Sequence, residues 1–152
     1  MTSHHYTECG LQNVYIDGLV PVVDDDGDEL IIVPAINELH NTIALGIVSH
    51  EHGMSGDELR FLRTEMGYTQ AELAMIVHHD KQSIGRWERA EYEIDSSAEA
   101  IIRKLAIEKL GLTEHSGIEV LSKRSVPSAK VQPINIRKAA EDQNGLYVLS
   151  AA

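Results

Sequence analysis

The chain has 152 residues, 43% hydrophobic and 5% aromatic, with a formal net charge of −11, which suits one ordinary domain or two small ones with a largely aliphatic core. Its one cysteine, Cys9, excludes an intramolecular disulfide and a four-thiolate zinc site. No run approaches the ~18 apolar residues of a membrane span, and "MTSHHYTEC" lacks the basic and apolar regions of a secretory signal, so a cytoplasmic protein with no membrane partner is expected.

From residue 13 to 34 the sequence reads as β structure. The short β-branched runs "NVYI", "LVPVV" and "ELIIVP" are separated by "DG" at 17–18 and "DDDGDE" at 24–29, both good turn chemistry. The second turn lacks the 12-residue spacing and terminal Glu of a calcium loop and reads as solvated. Two or three strands need a cover. "AINELHNTIALGIV" supplies it, with Ile36, Leu39, Ile43 and Ile47 at helical spacing. Residues 1–50 are therefore expected to form a small acidic α/β unit, with "SHEHGMSG" at 49–56 a loop or hinge.

Helix punctuation is dense from Ser55 onward. Ser55 and Glu58, Thr69 and Glu72, and Ser96 and Glu99 have capping-box spacing, Asp80 can N-cap, and Gly67 and Gly111 stand at expected C-terminal stops. The pattern predicts helices near 56–66, 70–77, 81–89 and 97–110, with Leu59, Leu62, Leu73, Ala74, Val77, Ile84, Trp87, Ile101 and Leu105 as their core. The tail, 113–152, has no sustained periodicity; "IEVLS" and "LYVLSAA" are its candidate strands. The fold class expected is α+β: a β-hairpin and helix unit, a four-helix domain at 55–112, and an irregular tail.

The charge is segregated along this organisation. Residues 1–56 carry nine acids and no Lys or Arg, residues 57–112 eleven acids and eight bases, and residues 113–152 four acids and five bases. An argument from net charge against a polyanionic partner therefore concerns mainly the N-terminal third.

The second and third helices of the four-helix domain have the requirements of a helix-turn-helix. Ala74 is small where two helices must approach, and Ile84 and Trp87 lock the second of them onto the core. Lys81, Gln82, Ser83 and Arg86 are left facing outward near the end that enters a major groove. Gln pairs with adenine edges and Arg bidentately with guanine, which makes Gln82 and Arg86 the base-reading candidates. Thr69, Gln70, Lys81 and Ser83 are the backbone-contact candidates, at helix N-termini where phosphate is favoured. Lys104, Lys109 and Arg103 read as solvated charges, and Glu88 as a structural partner of a nearby Arg.

"LRTEMGYTQAELAMIVHHDKQSIGRWERAE" resembles the Xre-type helix-turn-helix family over about residues 57–112, with Thr69-Gln70, Leu73-Ala74, Ile84 and Arg86-Trp87-Glu88 at the family's spacing. That family usually has Gly where this chain has His78 and Ala90. A small N-terminal unit before such a domain, and an amide four residues ahead of an Arg, is similar to the MqsA-like antitoxins. The resemblance implies an autorepressing antitoxin that binds a double-stranded DNA operator as a homodimer and holds a toxin protein. Those antitoxins bind zinc through paired Cys-x-x-Cys motifs; here Cys9, His4 and His5 fall short of a ligand set, so no metal is expected. There is no phosphate loop, no His-Glu-x-x-His and no nucleophile setting, so neither an enzyme nor a cofactor is expected. The rival reading is a protein-interaction and dimerisation module that has lost DNA binding.

Overall fold

The computed structural model describes residues 3–125, 132–139 and 147–150. The N-terminal segment forms β1 (His4–His5) and β2 (Val14–Asp17), a separate two-stranded ribbon of β3 (Val22–Val23) and β4 (Glu29–Leu30), and helix α1 (Ile36–Ser49). The helices α2 (Gly56–Met66), α3 (Gln70–Val77), α4 (Lys81–Glu88), α5 (Ser96–Leu110) and α6 (Ile118–Arg124) follow, and β5 (Ile134–Lys138) and β6 (Tyr147–Leu149) end the described chain. The α+β expectation holds.

Residues 1–50 do not close their sheet alone. β5 lies parallel to β2, with Val14 opposite Ile134 and Ile16 opposite Ile136, and β6 lies antiparallel to β5, so the strand order is β1-β2-β5-β6. Val14, Ile16, Ile134 and Ile136 alternate inward on the two central strands and are completely buried. α1 packs on the sheet through Gly46, where a Cβ would lie 3.0 Å from Ile134 Cγ2, and through Thr42, which donates to the Tyr147 carbonyl at 3.4 Å; Leu39, Ile43 and Ile47 are buried, and Ile36, the first residue of the expected stripe, stays exposed. Ile134–Lys138 and Tyr147–Leu149, expected to lie in an irregular tail, are thus part of the sheet. "YVL" at 147–149 forms a strand, as its run allowed, whereas "IEVLS" becomes α6: only Leu121 is buried there while Ile118 and Val120 face out, a pattern that serves one helical contact and no sheet face.

The punctuation read from the sequence is nearly all present. Ser55–Glu58 and Thr69–Glu72 form reciprocal capping boxes, and Gly67 and Gly111 end their helices with φ of 80° and 62°. One cap differs: α5 is capped by Asp95, which accepts from the Ala98 N–H, and not by Ser96. Glu99 is released for another task. Its Oε1 accepts from the Met54 N–H at 2.7 Å, and its Oε2 lies 3.3 Å from Arg103. The inward face of α5 is accordingly Ala98, Ile102 and Ala106, one position on from the expected Ile101 and Leu105.

Arg103 overturns its reading as a solvated charge. It is fully buried, and its guanidinium donates to the carbonyls of Ile47, Val48, His50 and His52 at 2.6–3.0 Å. These are the end of α1 and the start of the 50–55 loop, where carbonyls lack intrahelical partners. A side chain of the helical domain therefore caps the helix of the N-terminal unit, and the expected hinge is tied down. Arg103→Ala strands four carbonyls and the Glu99 carboxylate and is expected to cost about 3–5 kcal/mol, read from urea unfolding of the full chain.

Candidate nucleic-acid interface

α3 and α4 are joined by a turn that needs a left-handed residue. His78 takes φ 59° and ψ 42°, and the N–H of His79 returns to the carbonyl of Ala74 at 2.9 Å. Ala90, after α4, also has φ 59°. Both positions thus keep a glycine-type conformation without glycine, at roughly 1–2 kcal/mol each for an L-residue. Leu73, Ala74, Val77, Ile84 and Trp87 are buried as expected, and the His79 ring meets Trp87 edge-on with centroids 4.7 Å apart. Asp80 caps α4 by accepting from the Ser83 N–H at 2.7 Å, which holds its carboxyl below the ordinary range.

Beneath the outward face lies a buried acid. Glu88 receives Arg63 bidentately, Nε to Oε2 at 2.6 Å and Nη2 to Oε1 at 3.0 Å, and Gln70 Nε2 donates to Oε1 at 3.1 Å. Arg60 approaches at 3.5 Å. One carboxylate therefore joins α2, α3 and α4, as its structural reading required. α2 also runs its start against the end of α4: a Cβ at Gly56 would lie 2.5 Å from the carbonyl oxygens of Trp87 and Glu88, an approach only glycine permits.

Gln70, Lys81, Gln82, Gly85, Arg86 and Arg89 line one open depression of about 300 Å³. The structure brings together four of the six candidates there, with Lys81, Gln82 and Arg86 exposed. Gln70 is half-turned inward by Glu88. Thr69 and Ser83 stand outside the lining. The Thr69 side-chain oxygen and N–H serve the capping box with Glu72, which leaves its hydroxyl hydrogen for other contacts; the Ser83 N–H is on Asp80, which leaves its hydroxyl.

Two further groups belong to this surface. Arg89 lies across Gly85, where a Cβ would come within 3.0 Å of its Nη1, and it is paired with Glu91 Oε2 at 2.9 Å. The Tyr92 ring stands beneath the Arg86 guanidinium, 5.8 Å from Cζ to centroid. Arg89 is on the helical face of Gln82 and Arg86 and was reachable from spacing alone. Tyr92 was not, because the left-handed backbone at Ala90 decides where it points.

Burial alone would push the Glu88 carboxyl up, but hydrogen bonds from Arg63 and Gln70 and the charges of Arg63 and Arg60 outweigh it and hold the group below the ordinary carboxylate range. A depressed carboxyl stabilises the fold fully above its unfolded pKa of about 4.3, and that contribution is lost as pH falls through the folded value. Glu88→Gln is expected to cost about 2 kcal/mol or more at pH 7 and to flatten the fall in stability between pH 5 and 3, measured by urea unfolding across that range. His78→Gly is expected to raise stability by up to about 1 kcal/mol, seen as a higher melting temperature.

No helix among the described residues is long and apolar enough to cross a membrane. No curated protein and no solved structure matches the chain. Residues 59–98, spanning most of α2, all of α3 and α4 and the start of α5, match the helix-turn-helix family model, so this segment is similar to the helix-turn-helix domains of transcription regulators.

Proposed function

We propose that the chain is a sequence-specific DNA-binding transcription regulator, the antitoxin of a toxin–antitoxin pair that represses its own operon. The observation that carries the DNA-binding half is the exposed face of α4, where Gln82, Arg86 and Lys81 share one depression above the Glu88 anchor. α4 enters the major groove, Gln82 pairs with an adenine edge and Arg86 with a guanine. Lys81 neutralises a phosphate. Gln70 keeps one amide hydrogen on Glu88 and offers the second to the backbone, and the hydroxyls of Thr69 and Ser83 donate beside it. Two copies related by a two-fold axis read the halves of a palindromic operator, their helices about 34 Å apart.

The antitoxin half rests on charge and resemblance. Residues 1–56 hold nine acids and no Lys or Arg, and an RNA-cleaving toxin needs a basic surface, which an acidic unit covers by complementarity. The rival, a module that binds protein and not DNA, draws on the acids around the reading helix, Glu72, Asp80 and Glu91.

A mobility-shift titration with the duplex upstream of the chain's own gene, at two salt concentrations, separates these readings. Binding is expected to weaken as salt rises, and Arg86→Ala to lose roughly 5- to 100-fold in affinity. Tight binding untouched by Arg86→Ala would move the reading helix elsewhere, and no binding at either salt would leave the protein-interaction module.

A further inference from the structure

Among the described residues, the ribbon of β3 and β4 and its flanks gather six of the exposed large hydrophobics. Val20, Val22, Val23, Leu30, Ile31 and Ile32 are all exposed, Val20 to 77% and Val23 to 63%. Val22 stands opposite Leu30 and Val23 opposite Glu29, so aliphatic side chains occupy both faces of the ribbon. Among the described residues β3 and β4 pair only with each other, which leaves both outer edges free. A lone two-stranded ribbon is marginal in water, and a contiguous apolar surface of this kind marks an interaction site.

The tip of the ribbon is built and charged. The Asp24 side chain accepts from the N–H groups of Asp26 and Asp28 at 3.0 and 2.8 Å, and the Asp24 and Gly27 N–H groups close the turn. Five acids, Asp24, Asp25, Asp26, Asp28 and Glu29, therefore crown an aliphatic stem, in a segment with no Lys or Arg. Charge decides the occupant. A second copy would set five carboxylates against five more, and DNA is itself a polyanion. A protein with a basic rim beside an apolar surface satisfies both parts, the rim meeting the tip and the apolar surface covering the stem, with strand addition at a free edge as the backbone contact.

We propose that the ribbon, residues 20–32, is the docking arm for a basic protein partner. This deepens the partner-binding half of the function proposed above and is independent of operator binding, since the residues that line the α4 depression lie outside the arm. The probe is the purified product of the gene adjoining the chain's own, titrated against the full-length chain. It is expected to be basic and to bind. Val23→Ser with Ile32→Ser should weaken binding roughly tenfold or more. Asp25→Asn with Asp26→Asn and Asp28→Asn, which spares the turn-forming Asp24 and Gly27, should flatten the salt dependence. Val120→Ser, an aliphatic side chain exposed on α6, should change nothing.

The arm variants should keep the wild-type melting temperature, because the substituted side chains are exposed. Wild-type binding that both arm variants retain overturns the arm and leaves the partner reading standing. Failure of the wild type itself to bind overturns the partner reading and the arm with it. Concentration-dependent self-association removed by the arm variants overturns the choice of a basic partner in favour of a second copy.

Discussion

The outward face of α4 depends on one buried carboxylate. Glu88 sits at the end of α4 with its charge facing Arg63 of α2 and its remaining acceptor capacity taken by Gln70 of α3 and by Arg60. An uncompensated acid in that position would be costly, so the three helices must assemble together for the charge to be tolerated. The consequence reaches the surface. With Glu88 and Trp87 held from below, α4 turns Lys81, Gln82 and Arg86 outward, with Ser83 half-exposed and Arg89 exposed at its C-cap. The same anchor orients Gln70, so the amide at the start of α3 is set relative to the helix it flanks. Rigid support beneath a polar surface is what base readout requires, because a hydrogen-bonding edge must be met within a few tenths of an ångström.

A second buried charge joins the two halves of the molecule. Arg103 uses α5 to satisfy carbonyls at the end of α1, while Glu99, one turn earlier, holds the loop that follows. Near the same junction the buried His52 ring lies 3.2 Å from Glu58. The helix-turn-helix domain and the α/β unit therefore meet through paired and hydrogen-bonded groups. Tyr6, His40 and Glu65 make a further chain of polar contacts from the N-terminal segment through α1 to α2.

Charge segregation then acquires a geometric meaning. The acids of the first third of the chain concentrate at the tip of an apolar ribbon, and the cations of the α3–α4 pair concentrate on one outward face. These are different elements with opposite electrostatic preferences, so a polyanion and a basic protein are not drawn to the same surface. Glu91 tempers this on the outward face of α4 by pairing with Arg89, which leaves Arg86, over Tyr92, as the freer arginine.

The helical domain was legible in the sequence almost to the residue, because helix ends are local events. Ser55, Thr69 and Asp80 cap through hydrogen bonds within three residues, and Gly67 and Gly111 stop their helices through their own backbone freedom. The apolar spacing around Ala74, Ile84 and Trp87 carried the rest, and with it the outward face of Gln82 and Arg86. What only the tertiary structure decided involves partners far apart in the chain. β2 finds β5 across more than a hundred residues, Arg103 finds the end of α1, and Glu99 leaves a local capping role for the Met54 backbone. No periodicity records such pairings. A buried arginine and a solvated one have the same sequence signature, and a strand's partner is chosen by which apolar face remains uncovered once the helices have packed.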